Sequence, residues 1–111
     1  MKILIQTTQD SLSLGNGIIK AVSEGKEYSF PIGDLEEAII LTTDVGPLYD
    51  DMALAFRMKD GTAVFILSGH RDYEAFLFDQ LGKAVQIDYE AIIQASACTE
   101  NKIFIIYKQE V

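Results

Sequence analysis

Two apolar runs, residues 53–58 and 63–67, are joined by Lys59-Asp60-Gly61-Thr62. A chain holding this unit must build antiparallel sheet around it. Asp-Gly tolerates the positive φ angles of a type I′ turn, whose twist matches that of paired strands. Phe56 alternates with Arg57, and Phe65 lies on the opposite arm, so the pattern predicts an inward aromatic face.

The rest of the first half continues in strand periodicity. Residues 2–7 alternate, with Ile3 and Ile5 on one face and Lys2, Leu4 and Gln6 on the other. Residues 18–22 and 28–30 flank Ser23-Glu24-Gly25-Lys26, where Gly25 can supply a positive φ. Gly15-Asn16-Gly17 reads as part of a loop between the first two strands, and it lacks the further glycines and the Lys-Ser/Thr of a phosphate cradle. Residues 38–43 are apolar and rich in β-branched side chains, which predicts a central strand. Gly46-Pro47 then breaks regular structure.

The second half turns helical. Asp72 reads as an N-cap, Tyr73, Phe76, Leu77 and Leu81 recur at helical spacing, and Gly82 reads as the stop. Phe78 falls off that stripe; left exposed, it would mark a partner or dimer surface. Asp88 reads as a second N-cap before an apolar stretch through Ile92, Ile93, Ala95 and Ala97. Glu74 and Glu90 fall in first turns, where the helix dipole favours anions. A last strand covers residues 103–107. The order β-β-β-β-β-β-α-α-β predicts one α+β domain over residues 1–111, with a mainly antiparallel sheet and two helices in the C-terminal half. A pleckstrin-homology-like roll is one arrangement of that class.

Charge narrows the function classes. Seventeen Asp and Glu against nine Lys and Arg give a formal net charge of −8, with a pI near 4.4. Asp34, Glu36, Glu37, Asp44, Asp50 and Asp51 fall in one stretch without Lys, Arg or His. Such a field attracts cationic partners and repels nucleic acid and anionic membrane. No segment approaches the ~20 apolar residues that cross a bilayer, and residues 1–6 are too short an apolar stretch for a signal peptide. Cys98 is the only cysteine, which excludes an intrachain disulfide and favours a reducing compartment. A cytoplasmic protein is the expectation.

Candidate chemistry is sparse. Asp44, Asp50 and Asp51, near Gly46-Pro47, offer oxygen donors of the kind Ca²⁺ and Mg²⁺ prefer. They lack EF-hand spacing, and a solvated loop or a protein contact with Tyr49 as anchor accounts for them better. His70 stands between Ser68 and Asp72, but three residues within five at a helix start read as turn and cap residues rather than a relay. The neighbours of Cys98 are small and uncharged, so it reads as an inert thiol. No catalytic residue, metal site or cofactor is expected.

The Thr42-Thr43-Asp44-x-Gly46-Pro47 run, followed by Asp50 or Asp51, resembles a set of small stand-alone bacterial proteins with a TTDxGP…D motif. The resemblance continues through Asp88, Glu90, Ile92, Ile93, Ala95, Thr99, Asn101 and Phe104, and covers residues 33–107. Where those relatives often carry Trp after the acidic pair and in the last strand, this chain has residues 53–56 and Tyr107. Such small acidic proteins are also similar to immunity proteins of the contact-dependent inhibition type, which neutralise bacterial toxins, many of them nucleases with basic clefts. The resemblance implies a protein-binding inhibitor whose partner is a basic toxin domain, and it supplies no catalytic residues. Glu36, Glu37, Asp44, Tyr49, Asp50 and Asp51 are the candidate partner-binding residues. The alternatives are a pleckstrin-homology-like adaptor or ligand-binding domain, and a small metal-dependent hydrolase on Asp44, Asp50 and Asp51. Homo-oligomers are compatible with either.

Overall fold

Apolar stretches, some alternating with polar residues and some continuous, build eight strands among the described residues, which in the computed structural model are 1–42, 52–98 and 100–109. Strands β1 (Lys2–Ile5), β5 (Leu35–Thr42), β6 (Met52–Met58), β7 (Ala63–Leu67) and β8 (Lys102–Lys108) form one sheet in the order β1-β7-β6-β5-β8. β1 runs parallel to β7, and the other neighbours are antiparallel. Strands β2 (Ser11–Gly15), β3 (Ile18–Ser23) and β4 (Lys26–Pro31) form a second, antiparallel sheet. The architecture is α+β and mostly sheet, as expected, with one parallel pair and a closing strand that follows the helices.

The turns explain the register, and two of them differ from expectation. Residues 11–15 were expected in a loop, yet Leu12 and Leu14 are buried between serines in β2. Asn16 (φ 54°) and Gly17 (φ 76°) form the left-handed pair that a two-residue hairpin requires. Glu24 (φ 54°) and Gly25 (φ 79°) repeat the device between β3 and β4. The β6–β7 hairpin forms as expected, but not through a type I′ turn. Gly61 alone has positive φ (89°), and its amide donates to the Met58 carbonyl, while the Met58 amide donates to Thr62. That is a three-residue loop closed by a left-handed glycine. Asp60 Oδ1 accepts the Thr62 amide at 2.8 Å, which holds its carboxyl below the usual range.

One core lies between the inner face of the larger sheet, the inner face of the smaller one and the helices. Ile3 and Ile5, Val64 and Ile66, Leu54, Phe56 and Met58, Ala38 and Ile40, and Ile106 point into it. Phe56 stacks on Phe76 with centroids 5.5 Å apart. Phe65 does not join this aromatic contact: it pairs with Ala55, not with Phe56, and so faces the opposite side of the sheet. A one-residue difference in register reverses the face of a side chain.

Helix α1 comprises a π-helical stretch, Ala75–Leu81, continued by the α-helical turn Gly82–Ala84. Gly82 therefore does not stop the helix. Its amide reaches back five residues to the Leu77 carbonyl, and a Cβ at this position would collide with the Tyr89 hydroxyl. Close approach, not termination, is what glycine supplies here. Asp72 does not cap α1 with its side chain either. Its Oδ2 accepts the Leu12 amide (3.1 Å), and Gln80 Oε1 accepts the Leu14 amide (2.7 Å). Asp72 just ahead of the helix and Gln80 within it thereby satisfy the open edge of β2, a position where unpaired amides would otherwise invite another strand. Asp88 does cap α2 (Tyr89–Ser96), accepting the Ala91 amide at 3.1 Å. No described helix is long and apolar enough to cross a membrane.

Candidate protein-contact surface

Glu36 and Glu37 lie near the start of β5, three residues earlier than the strand was expected to extend. The antiparallel register sets Glu37 opposite Arg57 of β6. Arg57 Nε approaches Glu36 Oε1 at 3.4 Å and one of its terminal nitrogens approaches Glu37 Oε1 at 4.0 Å. One guanidinium thus serves two partly exposed carboxylates and offsets one of the two charges that Glu36 and Glu37 carry. Asp44, Tyr49, Asp50 and Asp51 lie outside the described residues.

The molecule remains strongly anionic. Of its seventeen acids, Asp44, Asp50, Asp51 and Glu110 lie outside the described residues. Of the thirteen described, only Glu36, Glu37 and Asp72 form ion pairs with described cations. Salt bridges of this exposed kind contribute at most about 1 kcal/mol each; their relevance is that they leave the other ten carboxylates uncompensated at close range.

A second surface was not singled out from the sequence. On the face of the larger sheet away from the core, register places Leu4, Phe65, Ala55, Ile39 and Ile105 in one row across all five strands. Leu67, Ala53, Leu41 and Ile103 form a second row. Lys2, Ala63, Arg57, Glu37 and Lys108 form a third. Ile103 is 64% exposed and Ile105 51%, with Leu4 and Leu67 above a third. Ala55 of β6 and Ala63 of β7 leave a shallow depression of about 170 Å³, bounded by Ile39, Phe65, Glu37 and Arg57. Lys2 Nζ lies 5.1 Å from the Phe65 ring centroid, a cation–π distance. The signal was present in the sequence: β5, β6, β7 and β8 are apolar at both parities, the pattern of strands covered on two faces.

The residues with nucleophilic or acid–base potential are structurally committed. His70 Nδ1 accepts the Asp72 amide (3.1 Å), so Nε2 carries the proton that it donates to the Thr7 carbonyl (2.9 Å). Arg71 donates to the carbonyls of Thr8 and Asp10. Asp10, 5% exposed, accepts the amides of Thr7, Gln6 and Glu24 at 2.9, 2.9 and 3.2 Å. The Thr7 amide foremost, then that of Gln6, lowers its pKa to about 2 against the opposing effect of burial. The partly buried Cys98 sits 3.6 Å from Thr42 Oγ1 and from the Glu100 carbonyl, with no base among these partners. Phe78 is 41% exposed, but it stacks on Tyr89 with centroids 6.4 Å apart. Among the described residues no group of three or more His, Cys, Asp or Glu is placed to hold a metal ion.

Comparison with protein families, with curated proteins and with solved structures yields no match to this chain.

Proposed function

We propose that this chain is a small acidic protein-binding inhibitor, an immunity-type protein that neutralises a basic bacterial toxin, such as a nuclease, in the cytoplasm. The observation that carries this reading is the uncompensated charge: net −8, with most described carboxylates outside any ion pair. A surface of that sign speeds encounter with a cationic cleft, repels competing phosphate backbones and imitates them within the cleft. The inhibitor acts stoichiometrically and uses no catalytic group. Glu36, Glu37, Asp44, Tyr49, Asp50 and Asp51 are the contacts assigned to it, with Tyr49 as the aromatic anchor. Because Arg57 offsets Glu36 and Glu37, the weight of the interaction falls on Asp44, Asp50 and Asp51.

The test uses the purified chain as bait in a lysate of the cell that makes it. The captured protein should be basic, and its toxicity or nuclease activity should fall to zero at one equivalent of this chain. Capture of only acidic proteins, or a basic protein whose activity persists at excess inhibitor, contradicts the reading.

A further inference from the structure

We propose that the open face of the five-stranded sheet is the contact surface of a homodimer in which β5 of each copy lies across β6 of the other. The register supports a self-complementary fit. β5 presents Ile39, Leu41 and Glu37, and the residues paired with them on β6 are Ala55, Ala53 and Arg57. Large stands beside small, and acid beside base, at each of three consecutive levels. A twofold axis parallel to the strands, passing between β5 and β6, keeps every level in place and exchanges the two strands. Ile39 then falls over the partner's Ala55 and Leu41 over the partner's Ala53, each contact occurring twice, as an isologous interface demands. The depression over Ala55 becomes the socket for Ile39. At the third level Arg57 meets the partner's Glu37, so two acids and two bases alternate around the axis. The same operation sets β7 over β8, which brings Phe65 and Leu67 against Ile105 and Ile103, the latter two among the most exposed apolar side chains of the described residues.

The dimensions agree with a weak, concentration-dependent pair. Four overlapping strands about 4.8 Å apart and three levels deep give a contact about 19 Å by about 20 Å. That is about 400 Å² of flat footprint per copy before side-chain relief, which brings the pair close to the ~1,000 Å² total at which specific interfaces begin. Two sheets packed face to face align within about 30°, and twist separates them least near the axis, where the alanines sit. This surface shares only Glu37 with the acidic contacts assigned above, and the two respond oppositely to salt. Screening reduces repulsion between two bodies of charge −8 and so favours the dimer, whereas it weakens attraction to a basic partner.

Sedimentation of the full chain over a wide concentration range, at low and moderate salt, tests the proposal. The expected species at high concentration has twice the 12.3 kDa mass of the chain and is favoured by salt. Ala53→Lys, which projects a charge from an open face, should give a folded monomer; Ile105→Ser, at a half-exposed position, should weaken association without loss of melting temperature. Arg57→Glu places four acids around the axis and should weaken the dimer by roughly tenfold or more. Combining it with Glu37→Arg restores alternation and should restore the dimer. A 12.3 kDa species at every concentration, a dimer indifferent to Ala53→Lys and Ile105→Ser, or a double variant no more dimeric than Arg57→Glu overturns the proposal.

Discussion

Asp10 and Gly82 are the two residues whose roles depend most on what lies far from them in sequence. Asp10 gathers three amides, two from the residues just after β1 and one from the β3–β4 turn, and so ties both sheets to one carboxylate. Its pKa falls from 3.8 to about 2 on folding. The sign follows: the contribution is fully present above pH 3.8 and is lost as pH falls through that value towards about 2. It amounts to about 2 kcal/mol. Denaturant unfolding of Asp10→Asn should show reduced stability at neutral pH and a flatter loss of stability over this acid window than the parent chain. Equal slopes for the two would assign the acid sensitivity elsewhere. Gly82 makes an opposite kind of demand, for space. Gly82→Ala should lower the melting temperature by displacing Tyr89 from Phe78. In a Tyr89→Ala background the same substitution should cost less, because only the Leu77 carbonyl, 3.3 Å from the added Cβ, then opposes alanine's helical advantage of about 1 kcal/mol. This pair of thermal melts separates crowding from an intrinsic need for glycine.

At the scale of elements, the edge of β2 shows why periodicity alone was insufficient. Leu12 and Leu14 are only two apolar residues among serines, too little to signal a strand, although Asn16-Gly17 does encode the hairpin that follows. What holds β2 is Asp72, just ahead of α1 and sixty residues from Leu12, together with Gln80, within α1 and sixty-six residues from Leu14. Gln80→Ala should accelerate hydrogen exchange at the Leu14 amide and destabilise by about 1 kcal/mol, leaving amides within α2 unchanged. Unaltered exchange at Leu14 would mean that another group protects the edge. The 53–67 hairpin, the central strand and the Asp88 cap were legible because each rests on local chemistry. Gly82 was misread since a glycine after an apolar stripe has the same sequence signature whether it ends a helix or clears space for Tyr89. The charges of Glu36 and Glu37 were legible too; their compensation by Arg57 was not, because it follows from a register that links residues twenty positions apart. The apolar rows on the outer face were written as runs without alternation, but nothing local distinguishes which parity turns to the core.

At the scale of the whole molecule, two surfaces carry the functional argument, one defined by charge and the other by shape. In the proposed function the anionic surplus acts at a distance and sets how fast a cationic protein arrives; in the proposed dimer the sheet face acts on contact and selects its own copy. Separating them requires one variable that moves them apart, and ionic strength is that variable. The most direct measurement is therefore the association rate of the captured basic partner with this chain across a salt series, for the parent and for Asp50→Lys combined with Asp51→Lys. The account predicts a rate that falls steeply with salt in the parent, and a rate that is slower at low salt and nearly flat in the reversed variant. Identical, salt-insensitive rates for both chains would contradict the claim that charge brings this protein to its partner.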